Sequence, residues 1–129
     1  MKKMTLFAGL FFTFFFVSLM VSATEKTSAK EPVTMPENVK SIIDNKCMGC
    51  HNTDSRNDKA KEKLDFKTMD GLAKIKKIGT YKHIVEALEK NEMPPEKFLA
   101  RFPEKKLSED EAKLIMDWAK KEASSLMGQ

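Results

Sequence analysis

The chain has 129 residues, with 23 Lys and Arg against 19 Asp and Glu and a formal charge of +4. That length holds one compact domain plus a leader or tail and excludes two ordinary domains. The modest charge excludes the strongly basic face that a nucleic-acid binder needs.

Residues 1–23 read as a secretory signal peptide. Lys2 and Lys3 open it, an apolar run from Met4 to Val21 follows, and Val21-Ser22-Ala23 supplies small residues for cleavage after Ala23. Six of the nine phenylalanines, Phe7, Phe11, Phe12, Phe14, Phe15 and Phe16, lie inside it. An uncleaved membrane anchor is the competing reading, because a run of about 18 apolar residues is near the lower limit for spanning a bilayer. Cleavage removes Lys2 and Lys3 and no acid, so the charge falls from +4 to +2. The mature chain is then close to neutral, exported and expected in the periplasm. Residues 24–36 show no apolar period and read as a solvated, flexible tether.

The remaining residues, 37–129, form the folded domain. Val39, Ile42, Ile43 and Cys47 recur on one face of a helix. Its C-terminal end delivers Cys47-Met48-Gly49-Cys50-His51, which contains both cysteines of the chain. Two cysteines at this spacing suit a small disulfide or a thiol redox pair, and a histidine directly after them matches covalent attachment of c-type haem. Two thiols one helical turn apart reach the two vinyl groups on a porphyrin edge, while the next imidazole turns under the ring to meet iron. Cys47 and Cys50 are then the thioether anchors and His51 the proximal ligand. A thioredoxin-like pair sits where a strand meets a helix, and no strand pattern is found here. Structural zinc is the weaker reading: it requires four ligands, the chain has only two cysteines and two histidines, and His51 is adjacent to Cys50.

From Asn52 to Lys63 the chain has almost nothing to bury and reads as a solvated loop or short charged helix. Leu64, Phe66, Met69 and Leu72 restore apolar surface, and a short helix through Ile75 and Ile78 is predicted to stop at Gly79. These residues are expected to line the cofactor pocket. A further helix follows, with Tyr81, Ile84, Val85 and Leu88 on one stripe and His83 on the opposite face. In the last helix Ser108 and Glu111 form a capping box, and Leu107 and Ala112 a hydrophobic staple. Ala112, Ile115, Met116, Ala119 and Ala123 repeat on one face of it, with Trp118 at the border. Packing this helix over the first is expected to close the core.

The second axial position on iron takes His or Met. His83 and the methionines Met35, Met48, Met69, Met93, Met116 and Met127 are the candidates, with an open site as the alternative. Met93 is favoured, because Pro94 and Pro95 restrain the loop that carries it.

Cys47-Met48-Gly49-Cys50-His51, then Met93-Pro94-Pro95, then a terminal helix with Trp118, together resemble a small monohaem c-type cytochrome over roughly residues 37–123. The resemblance implies an all-α, cytochrome c-like bundle of three to five helices around one covalently attached haem c. It also implies His51 and Met93 as axial ligands and single-electron transfer without bond chemistry, hence no enzymatic activity. A sensor or peroxidase-like haem protein with an open distal site, and a Cys-x-x-Cys thiol redox module, are the alternatives. Redox partner proteins are expected, with no nucleic acid and the chain a monomer. The lysines at 59, 61, 63, 74, 76, 77, 105 and 106 read first as a solvated surface, interrupted by Glu104, Glu109 and Asp110, with steering of acidic partners as the alternative. Two departures stand out. No proline lies between His51 and Met93 to supply the carbonyl that commonly fixes the proximal histidine, and the first helix lacks an aromatic at the helix crossing.

Overall fold

A computed structural model describes residues 35–128. The leader and the tether as far as Thr34 lie outside the described residues. Among the described residues there are five α-helices, two short 3-10 turns and no strand, as the periodicities predict.

Helix α1 spans Glu37–Lys46. Glu37 in its first turn and Lys46 in its last complement the helix dipole. Val39 and Ile43 are fully buried, and Ile42 and Cys47 pack against the same core. Met35, assigned to the tether by its sequence, also packs there. Helix α2, Asp58–Lys63, occupies the second half of the polar stretch and buries no residue. Its order comes from local bonds instead: Asn57 Oδ1 accepts from Ala60 N at 3.2 Å, and Lys61 pairs with Asp58 at 2.9 Å.

Helix α3 is continuous from Lys74 to Glu89, where the sequence predicts two segments broken at Gly79. Glycine ends a helix by taking the left-handed conformation, and Gly79 does not: only Gly128 has positive φ among the described glycines. Burial of Tyr81 and Ile84 carries the helix through a residue that costs about 1 kcal/mol relative to alanine. The true stop is Asn91 at φ 55°. Asn91 N donates to Leu88 O at 3.1 Å and Glu92 N to Ala87 O at 2.9 Å, the paired bonds of a Schellman cap. Ile75, expected in the pocket, is 83% exposed on the first turn of α3, because the longer helix turns that face to solvent.

Helix α4 is the single turn Glu96–Leu99, and with the 3-10 turn Pro103–Lys105 it brings Phe98 and Phe102 to 5.0 Å. Helix α5, Glu109–Met127, begins with the predicted capping box, Glu111 N donating to Ser108 Oγ and Ser108 N to Glu111 Oε2. It ends at Gly128, φ 85°.

The core forms chiefly where α5 lies along α3, with a smaller contact to α1, rather than at a crossing of the first and last helices. Ala119 and Ala123 are buried and short, which permits close approach of the backbones. Trp118 is not at the border: it is buried, its ring edge-to-face with Tyr81 at 5.3 Å. Full burial of Ile43 and Ile115 contributes about 1.5–3 kcal/mol each. Among the described residues no helix is long and apolar enough to cross a membrane.

Candidate functional site

The end of α1 does not stop abruptly. Cys47 N donates to Ile43 O at 2.8 Å, and Cys50 N and His51 N both bond Cys47 O, at 3.1 and 3.0 Å, so the motif adds one more helical turn. That turn sets His51 against α2. The His51 Nδ1 lies 3.1 Å from both Ala60 O and Leu64 O, at the C-terminal end of α2. A carbonyl only accepts, so Nδ1 carries the proton and Nε2 keeps its lone pair for a metal. These two carbonyls do the work of the missing proline. The ring is also held edge-on by Phe66 at 6.5 Å, and Phe66 N donates to His51 O at 3.2 Å.

His51 and Cys47 line a cavity of about 510 Å³. Leu64 and Phe66 form part of its wall, Ile84, Ala87 and Leu88 of α3 another part, and Ile115 of α5 a third. Met93 lines it too, two residues beyond the Asn91 cap, with a cis peptide to Pro94. It is the only methionine of the described residues to do so: Met69 is buried in the core, Met35 and Met48 pack against that core, and Met127 is exposed. His83 reaches the cavity rim, but its side chain is 82% exposed and lies 3.7 Å from Glu86, on the face the helical wheel predicts.

Not every expected residue is gathered. Cys50 is half-buried on the motif turn and does not line the cavity. Of the predicted pocket residues only Leu64 and Phe66 line it; Met69, Leu72, Ile75 and Ile78 do not. The rim is of mixed sign, with Lys63 and Lys90 beside Glu86 and Glu92. Lys90 is committed to Glu86 at 2.6 Å.

Burial pushes the Cys47 thiol up to about 11, with Cys50 adding to the shift and Lys46 opposing it. It is therefore neutral at physiological pH and a poor nucleophile, the opposite of a redox-active cysteine, whose pKa is depressed. Cys47 and Cys50 are not joined in a disulfide. Among the described residues no group of three or more His, Cys, Asp or Glu side chains is arranged to hold a metal ion. What the site offers is one oriented imidazole and one thioether in a chamber with apolar inner walls and a charged rim.

A family model for a haem-binding domain matches residues 56–121. The chain belongs to that haem-binding domain family. The match runs from α2 into α5, includes Met93, and stops short of Cys47, Cys50 and His51. No curated protein and no solved structure matches the chain. Haem suits the chamber on physical grounds. Its volume is within the range of about 300–1,000 Å³ usual for small-molecule and cofactor sites, its walls are aliphatic and aromatic, and its nitrogen donor is fixed in one tautomer.

The carbonyls of Ala60 and Leu64 escape sequence reading, because a backbone acceptor has no side-chain signature. The missing proline showed only that some other acceptor was needed. The contribution of Ile115 was legible as core, not as cavity wall.

Proposed function

We propose that this haem-binding protein is a c-type cytochrome. Cys47 and Cys50 bind one haem covalently by thioether links, His51 and Met93 are its axial ligands, and it passes single electrons between partner proteins. The observation that carries this reading is the convergence of His51, Cys47 and Met93 on one cavity with apolar inner walls, with Nδ1 of His51 already spent on carbonyls.

The bound haem supplies a one-electron iron couple; the residues around it set how that couple behaves. His51, its Nδ1 proton shared with two carbonyls, is a more basic donor than a free imidazole. Met93 is a weak ligand held in place by the Asn91 cap behind it and Pro94 ahead of it. Leu64, Phe66, Ile84 and Ile115 exclude water, which favours the less charged reduced iron, as does a thioether relative to a second imidazole. With His51 and Met93 both holding the iron, a bound haem would have no place for oxygen or peroxide, which supports a carrier over an enzyme.

The signal-peptide reading of residues 1–23 supports a periplasmic location for the carrier. Exposed Lys63, Lys90, Glu86 and Glu92 around the cavity rim give partners a mixed-sign docking edge.

Carbon monoxide tests the ligand set. The unmutated ferrous protein excludes it, and Met93→Ala binds it. Uptake by the unmutated protein places the chain with open-site sensors or peroxidase-like proteins instead.

A further inference from the structure

Ser55 is buried, 8% exposed, and the function above gives it no part. Its hydroxyl does two things at once. It donates to Gly49 O at 3.3 Å, inside the Cys47–His51 motif, and accepts from Asn57 N at 3.1 Å. Asn57 is the N-cap of α2, its side chain taking Ala60 N. The carbonyls of Ala60 and Leu64 then hold His51 Nδ1. A run of hydrogen bonds thus leaves the motif at Gly49, crosses Ser55 and α2, and returns to the motif at His51.

Helix α2 has six residues and buries none of them, so hydrophobic packing holds it only at its C-terminal end, where the C-cap Leu64 packs against the core. Besides the Ser55 hydroxyl, Lys61 Nζ holds Ser55 O at 3.2 Å, which ties α2 to the same residue. The N-terminal end of α2 is therefore held to the motif through Ser55, and a shift there is passed along the helix to the two carbonyls at His51.

We propose that Ser55 is a positioning residue for the axial imidazole, acting through α2 to set the hydrogen bond at His51 Nδ1. The inference rests on the proposed ligation of iron by His51. A carbonyl acceptor at Nδ1 makes the imidazole a stronger donor, which favours oxidised iron. Removing the Ser55 hydroxyl loosens that bond, weakens the donor and moves the couple toward the reduced form.

The test is a redox titration of the haem-loaded full chain, as the unmutated protein, Ser55→Ala and Ser55→Thr. Each also needs its denatured mass and visible spectrum, to establish haem content and Met ligation. The expected result is a higher midpoint for Ser55→Ala, by about threefold to tenfold in the reduction equilibrium constant, tenfold being 59 mV for one electron. Ser55→Thr keeps the hydroxyl and returns the midpoint to its original value.

If Ser55→Ala does not fold, Asn57→Ala against Asn57→Asp makes the same comparison, the aspartate keeping the cap acceptor. An unchanged midpoint in the alanine variant, with haem and Met ligation retained, overturns the proposal even if the melting temperature falls. Unmutated protein that takes up no haem overturns the cytochrome reading and this inference together. A normal His/Met spectrum with an indifferent midpoint overturns this inference alone.

Discussion

Lys46, the last residue of α1, reaches Glu111 in the first turn of α5 at 2.6 Å, and its ammonium also donates to Lys106 O at 2.7 Å. The Lys46 side chain is only 12% exposed. The residue directly before Cys47 is thereby fastened to the start of the longest helix. Glu111 meanwhile closes the capping box with Ser108, so one carboxylate serves a helix cap and an interhelix tie. The Lys46 hydrogen bond, followed by that of Ser108 N, holds the Glu111 carboxyl below its ordinary value of 4.5.

Lys46→Met is expected to lose about 1 kcal/mol at neutral pH. A depressed carboxyl contributes its stability above the unfolded pKa and loses it as pH falls through the folded one. The gap between the two proteins in urea unfolding should therefore be full at pH 7 and shrink as the solution is acidified below about 4.5. An equal gap at pH 7 and pH 3 contradicts the role given to this pair.

Ile43 stands in the last turns of α1, 2% exposed, one helical turn before Cys47. Ile43→Val should cost about 0.5–1.5 kcal/mol and Ile43→Ala about 2–5 kcal/mol, the larger loss reflecting the cavity left behind. Denaturant unfolding of the haem-loaded protein measures both. A loss below 1 kcal/mol for the alanine variant contradicts the burial.

Tyr81 is the only tyrosine of the chain, so its titration can be followed without overlap from another. Burial, with the negative charges of Glu122 and Asp70, pushes its hydroxyl up to about 12. The unfolded chain loses that proton near 10, so the contribution to stability is complete below 10 and declines as pH rises toward 12. Ring-labelled NMR of the native protein should show no tyrosinate at pH 10.5, while the urea-unfolded chain should be more than half ionised there. Ionisation of native Tyr81 near 10 contradicts the packing against Trp118.

Asn91 holds a left-handed conformation that β-branched residues rarely adopt. Asn91→Gly should fold as well as the unmutated chain, while Asn91→Val should lose about 1–2 kcal/mol. Because Met93 follows two residues later, the valine variant should also bind carbon monoxide more readily than the glycine variant. Equal stability of the two variants contradicts the Schellman cap.

These particulars show how far the residues alone can be read. The amphipathic stripes of α1 and α5 and the Ser108–Glu111 capping box were legible, because each is a local pattern of side chains. So was the outward face of His83, since angle around a helix follows from spacing. Gly79 misled because glycine is ambiguous: it ends a helix only when it turns left-handed, and the burial of Tyr81 and Ile84 against α5 decided otherwise. The stripe of alanines puts Trp118 at its border, whereas those alanines are short and leave the indole room to reach Tyr81. The carbonyls at His51 belong to backbone that the tertiary fold brings back over the motif, 9 and 13 residues downstream. Neither composition nor periodicity records such a return.

The central claim is covalent haem on Cys47 and Cys50, and the denatured intact mass tests it most directly. The full-length chain is expressed in a host that attaches c-type haem in its periplasm, then compared with Cys47→Ser/Cys50→Ser. The account predicts that the unmutated polypeptide keeps the mass of one haem after denaturation and that the double variant does not. An unmodified mass with free or oxidised thiols in the unmutated protein contradicts it.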